Sequence, residues 1–226
     1  MPVNDLLTEA EINALLYGIE SNNNGNSTND QDPSKYLKNT QFIQNYIPEI
    51  DIICERYIVF FRKFLRNFLH QNIEISINNV LLEKYIDYIN SLSVPSSLNL
   101  LSDEKGDIKL FLNLDTNLGY LVIDNYFGGN GKYLSKLDKQ EFSKLEYNVL
   151  YKAVNNAVLK LEESWEPIHP MKLTLVDTIY DLQSKNTLQA DEIIGIIRFK
   201  TESGSIEGYF DLIIPHSTMC ILKTDN

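Results

Sequence analysis

Phe127-Gly128-Gly129-Asn130-Gly131-Lys132 divides the chain into two stretches that carry the same order of hydrophobic patterns. Three of these residues are glycines within four positions. Glycine takes left-handed backbone at no steric cost and is the usual exit from a helix. The spacing therefore reads as a helix C-cap followed by a turn, or as a loop that presents bare backbone to a neighbour. Just upstream, Asp115 is placed to cap a helix whose apolar residues Leu118, Leu121, Val122 and Tyr126 run into Gly128.

On the N-terminal side, Ile50, Ile53, Cys54, Tyr57, Phe61, Phe64, Leu65 and Phe68 recur at three- and four-residue spacing, which predicts a long helix over 41–69. Ile73, Ile75 and Ile77 alternate with Glu74 and Ser76, the mark of a half-buried strand. Leu82, Tyr85, Ile86 and Ile89 suggest a short helix stopped before Pro95, with strands following over 97–101 and 107–114. On the C-terminal side the order repeats. Phe142, Leu145, Val149, Ala153, Ala157, Leu161 and Trp165 predict a long helix, and residues 170–176 a strand. A hairpin over 191–201 and 204–214 turns at Glu202-Ser203-Gly204, and Pro215 opens a last short helix.

Residues 49–127 and 141–222 match in pattern at an offset of about 98, counted by aligning Asn72 with Pro170. The expected fold class is α/β: a pseudo-twofold duplicated α–β unit with long helices packed on one central sheet. The domain spans 38–226, with halves at about 41–127 and 138–222 joined through the glycine loop.

Ahead of that domain, Thr8 and Glu11 form a capping box, with Leu7 and Ile12 as its hydrophobic staple. Ile12, Leu15 and Leu16 share one helical face. Residues 1–20 thus read as a short amphipathic peptide helix, which gains stability when its face meets a groove on a partner. Residues 21–37, polar and rich in Asn, read as a disordered linker.

The net charge of −11 argues against general nucleic-acid binding and against anionic membrane surfaces. No apolar run approaches the ~20 residues that span a bilayer, and the N-terminus has no basic signal region, so direct membrane insertion is not expected and the implied compartment is the cytoplasm. Cys54 and Cys220, each within an apolar pattern, read as small core residues rather than metal ligands. The glycine loop lacks phosphate-cradle spacing, because Tyr126 and Tyr133 stand where Gly and Ser or Thr belong. His70, His169 and His216 are dispersed and read as structural or solvent-facing. Glu162, Glu163 and Glu166 read as a solvated face, and Trp165 as an anchor of its helix on the sheet. No constellation supports catalysis, and no cofactor or metal is implied.

Read together, Leu6-Leu7-Thr8-Glu9-Ala10-Glu11-Ile12-Asn13-Ala14-Leu15-Leu16 and Ile123-Asp124-Asn125-Tyr126-Phe127-Gly128-Gly129-Asn130-Gly131-Lys132 resemble the two signature motifs of the flagellar motor switch protein FliM family. Cys54-Glu55-Arg56-Tyr57 and Ser93-Val94-Pro95-Ser96-Ser97-Leu98-Asn99-Leu100 agree in character. The resemblance implies a component of the C-ring of the bacterial-type flagellum, at the basal body on the cytoplasmic side of the inner membrane. It implies that Leu6, Leu7, Glu11, Ile12, Leu15 and Leu16 bind phosphorylated CheY, and that this couples chemotaxis to the direction of rotation. It also implies that Asp124, Asn125, Phe127, Gly128, Gly129, Asn130, Gly131 and Lys132 bind FliG, and that neighbouring FliM copies are partners. Members of the family continue into a FliN-type domain. These residues stop at Asn226, so contact with FliN is doubtful on that ground.

The family's middle domain resembles the CheC-type phosphatases, which makes phosphatase action on a phosphorylated regulator the alternative function. Those enzymes carry an acidic residue or Ser, a Glu four on and an Asn three further along a helix. Asp51 and Glu55 fit the first two places, but Ile58 stands in the third; Asn148 and Asn155 fit, but Lys152 replaces the Glu. The expectation is a structural protein and not an enzyme.

Overall fold

Ile53, Tyr57, Phe61 and Leu65 line the buried side of one long helix, and what they pack against sets the architecture. The structure is a computed structural model that describes residues 33–129, 142–179, 187–204 and 206–224. In chain order these residues form α1 (Pro33–Gln44), α2 (Ile50–Leu69), β1 (Glu74–Lys84), α3 (Tyr85–Ser91), β2 (Ser97–Asp103), β3 (Lys109–Leu114), α4 (Thr116–Tyr126), α5 (Lys144–Trp165), β4 (Leu173–Ile179), β5 (Ile193–Ser203), β6 (Ile206–Pro215) and α6 (His216–Thr224).

The six strands form one sheet in the order β1-β5-β6-β3-β2-β4, and every pairing is antiparallel. The order is a palindrome. The hairpin β2–β3 of the first half meets the hairpin β5–β6 of the second at the centre, through β3 and β6. The leading strand of each half then pairs with the hairpin of the other half: β1 with β5, and β4 with β2. The expected duplication is therefore present, and the two halves are interleaved rather than adjacent.

Between sheet and helices lies an aromatic core. Phe199 and Phe210, cross-strand partners on β5 and β6, stack at 4.6 Å. Tyr57 and Phe61 of α2 meet Phe210 edge-on at 6.0 and 5.2 Å. Rings of this size supply most of the hydrophobic driving force, roughly 1.5–3 kcal/mol for a fully buried large side chain. Trp165 is buried at the end of α5, the expected anchor. On the opposite face, Tyr85, Tyr88 and Ile89 of α3 cover Leu98, Leu100, Phe111, Ile196 and Ile213. That face also buries Asp211, which accepts two hydrogen bonds from Arg198 and one from the Tyr88 hydroxyl, all at 2.8 Å.

Several boundaries differ from the sequence expectation. The helix predicted over 41–69 is two helices, because Pro48 has no amide to continue the ladder and holds the chain before it extended. α1 begins at Pro33, five residues inside the 21–37 stretch read as linker; proline is favoured in a first helical turn. β1 reaches Lys84, which delays α3 to Tyr85. A bulge between Ile77 and Asn79 moves the inward alternation from 75 and 77 to 80 and 82, which hides the strand's period. β4 starts at Leu173, where the Glu162 carboxylate accepts the Leu173 amide at 2.6 Å. Glu162 is thus buried at the end of α5 and not part of a solvated face. Cys54 is a core residue as expected, whereas Cys220 is only half-buried, its sulfur 3.7 Å from His216 Nε2. Among the described residues, no helix is long and apolar enough to cross a membrane.

Strand exchange predicts interdependent halves. Expressed alone, residues 33–129 should lack stable β structure by circular dichroism, because β1 and β3 each lose a partner; adding residues 130–226 should restore it. A cooperatively unfolding 33–129 fragment would contradict this topology.

Candidate functional site

The site is built on α4. Asp115 ends the β3 segment in extended backbone and caps the helix, its carboxylate accepting the Leu118 amide at 2.7 Å. The first turn of α4 lies so close over β6 that a Cβ on Gly208 would sit 2.8 Å from the Leu118 nitrogen. Eleven residues on, the helix closes with a full Schellman cap. The Gly129 amide donates to the Asp124 carbonyl at 2.8 Å and the Gly128 amide to Asn125 at 2.9 Å. Gly128 takes the left-handed conformation at φ +84°, which a side chain adopts only with strain. Gly129 owes its identity to packing: a Cβ there would lie 2.2 Å from the Asp124 carboxylate. The helix-cap reading holds for Gly128 and Gly129.

The cap leaves a tip in solvent. Phe127 is 55% exposed and Tyr126 40%, with rings in an edge-on pair at 5.5 Å. A file of rings runs inward from them: Tyr126 to Phe68 at 5.8 Å, Phe68 to Phe64 at 5.1 Å, Phe64 to Phe61 at 6.0 Å, and so to Phe210. Lys152 of α5 holds Tyr126 from the other side. Its Nζ donates to the phenol oxygen at 2.8 Å and sits 5.1 Å from the ring centre. Asn125 faces inward, donating to the Leu121 carbonyl at 2.8 Å and accepting from Gln71 Nε2. Gln71 follows His70, which ends α2 in left-handed backbone at φ 52°. Its Oε1 accepts from Ser203 at the end of β5 at 2.8 Å. Three chain segments thus meet under the tip: the α2–β1 connection, the β5–β6 turn and the end of α4.

Of the residues expected at the loop, Asp124, Asn125, Phe127, Gly128 and Gly129 are brought together here. Asn130, Gly131 and Lys132 lie outside the described residues. So do Leu6, Leu7, Glu11, Ile12, Leu15 and Leu16. Asn125, expected as a contact or cap, has both ends of its amide engaged within the fold. Sequence reasoning missed Gln71, Ser203 and Lys152, because each acts through a partner more than 25 residues away.

Three of the helix positions compared with the phosphatases are engaged elsewhere. Asp51 accepts from Gln44 at 2.6 Å, Lys152 is bound to Tyr126, and Asn155 donates to the Tyr151 carbonyl at 3.0 Å. Ile58 offers no polar atom at its place. Among the described residues, no group of three or more His, Cys, Asp or Glu side chains is arranged to hold a metal ion.

An internally duplicated α/β domain, one sheet with helices on both faces and a braced, exposed turn, is the class to which the geometry leads. The chain belongs to the FliM family: the family described as flagellar motor switch protein FliM matches residues 43–224. It is 27% identical to FliM of Pseudomonas aeruginosa over 221 residues, which cover 96% of this chain and 68% of that protein. FliM of Escherichia coli is 26% identical, with 94% of this chain and 65% of that protein covered. The chain therefore spans about two thirds of the length of these relatives. In fold it is similar to the FliM middle domain of Vibrio alginolyticus, with a TM-score of 0.69, 24% identity and coverage of 78% and 99% of the two chains. It is also similar to a chain of the FliG–FliM complex of Helicobacter pylori, with a TM-score of 0.69, 19% identity and coverage of 78% and 98%.

The cap that starts α4 carries a pH signature. Burial is the largest influence on Asp115 and raises its pKa to about 6, against backbone hydrogen bonds from Leu118 and Tyr209 that lower it. An unfolded Asp titrates near ~3.9. Between those values the folded state binds the proton more tightly, so this group's contribution to stability falls as pH rises towards 6 and stays low above it. Asparagine caps as well as aspartate and carries no charge. Asp115→Asn should therefore gain stability relative to the wild type as pH rises from 5 to 7.5 in urea unfolding. A difference independent of pH would contradict the buried-carboxylate assignment.

Proposed function

We propose that this chain is a structural and signalling component of the flagellar motor switch at the basal body, and that it docks FliG through the pole formed by Phe127, Gly128 and Gly129. The observation that carries the reading is the exposed Phe127 on a capped and braced turn. An aromatic ring held rigidly in solvent supplies contact area at little cost in side-chain entropy. A solved neighbour of this fold is a FliG–FliM complex. Asp124 holds the turn against Gly129, and Asn130, Gly131 and Lys132 extend the surface. Ile52 and Val59 on α2, both exposed apolar residues one heptad apart, offer a face to neighbouring copies. Phe127→Ser should weaken FliG binding by roughly tenfold in calorimetry, about 1.4 kcal/mol, with an unchanged melting temperature. Wild-type affinity in that variant would remove the tip from the interface.

Residues 1–20 serve in this proposal as a tethered hook for phosphorylated CheY, with Ile12, Leu15 and Leu16 as anchors and Leu6, Leu7 and Glu11 around them. A flexible tether places a captured regulator at an effective concentration of up to roughly the millimolar range near its second target. Capture biases rotation only if the regulator interacts differently with the two states of the ring. The protein is a binder and not a phosphatase: Lys152 stands clamped to Tyr126 where the phosphatase pattern has Glu, and Ile58 replaces the amide that would position a water. One experiment tests both points. With phosphorylated CheY, Leu15→Asp should abolish capture, and neither form should shorten the lifetime of the acyl phosphate. Undiminished capture would refute the hook, and accelerated hydrolysis would refute the absence of phosphatase activity.

A further inference from the structure

We infer that Gln71 is the positioning residue of the docking tip. The inference rests on the FliG-docking reading above and adds the element that preorganises that surface.

Hydrogen-bond direction fixes the amides beneath the tip. Ser203 Oγ donates to Gln71 Oε1 at 2.8 Å, Gln71 Nε2 donates to Asn125 Oδ1, and Asn125 Nδ2 donates to the Leu121 carbonyl at 2.8 Å. Each amide in this chain accepts at its oxygen and donates at its nitrogen, so neither can flip without breaking bonds at both of its ends. The last acceptor lies in the ladder of α4, one turn before the Schellman cap. The chain therefore ties the final turn of α4 to the β5–β6 turn and to the end of α2. Residues 70–72 link α2 to β1, and β1 and β5 are paired. Gln71 thus references the tip to the sheet itself rather than to its own helix alone.

The aromatic contacts at the tip do not do this work. Tyr126 packs on Phe68 and bonds Lys152, but Phe127 touches only the Tyr126 ring among the ring contacts of the described residues. The orientation of Phe127 depends on the backbone of the cap, which is set by the roll of the last turn of α4. In that turn Tyr126 is bonded to Lys152 of α5, and Asn125 is bonded through Gln71 to the end of β5. Asn125 then acts through the fold, and the surface that meets FliG is Phe127-Gly128-Gly129.

A positioning role separates from a structural one by readout. Gln71→Met keeps the length and volume of the side chain but can neither donate to Asn125 nor accept from Ser203. The chain end at Gln71 is part-exposed, so the variant folds and its melting temperature moves by no more than a few degrees. FliG affinity, measured at low temperature where every variant is folded, should drop five- to tenfold, and the Gly129 amide should exchange at least tenfold faster. In a double-mutant cycle, Gln71→Met and Phe127→Ser should be strongly non-additive, because both act through one ring. Unchanged affinity of Gln71→Met in a wild type that binds FliG would overturn the inference, as would additive losses. If the wild type does not bind FliG, the docking reading fails, and Gly129 exchange alone decides whether Gln71 holds the tip: unchanged exchange refutes it.

Discussion

The pairing of β1 with β5 is the constraint on which the rest depends. It carries the first strand of one half across the sheet to the hairpin of the other, and its counterpart, β4 on β2, does the same in reverse. Neither half can complete a sheet by itself, so the core of Phe199, Phe210, Tyr57 and Phe61 is assembled from both. Local pairings alone would make a hairpin-rich chain; the crossed pairings make one domain with two ends. The entropy of closing these long loops is offset by the aromatic burial they permit.

That topology also creates the exposed pole at the end of α4. Because β1 and β5 are neighbours, the connection entering β1 and the turn leaving β5 lie at the same end of the sheet. α4 crosses β6 and delivers its C-terminus to the same place. The Schellman cap, the Gln71 chain and the Lys152 clamp then act together on one exposed turn. The sheet beneath the turn is continuous through both halves.

Much of this was legible in the sequence. The helix over 144–165, the duplicated order and the cap at Gly128 and Gly129 follow from local pattern, whereas the single helix expected over 41–69 is two. The strand exchange was not legible, because a repeat fixes element order and not which half supplies the partner strand. β1 was read short because a bulge breaks its period. The helix break before α2 was written plainly in Pro48 and was outweighed by the apolar spacing on either side. Glu162 reads as solvated from its neighbours, and only the Leu173 amide, eleven residues on, gives it a reason to be buried. At the site, sequence marks the glycines, which are local. It does not mark Gln71, whose partners lie 54 and 132 residues away.

We propose FliG docking at the pole carrying Phe127, and its footprint can be read residue by residue. Titrating the 15N-labelled chain with unlabelled FliG and following backbone amide shifts tests it most directly. The largest shifts should fall on Phe127, Gly128 and Gly129, with smaller ones at Gln71 and Ser203. Shifts concentrated on α3 and β4, with the tip unmoved, would contradict it.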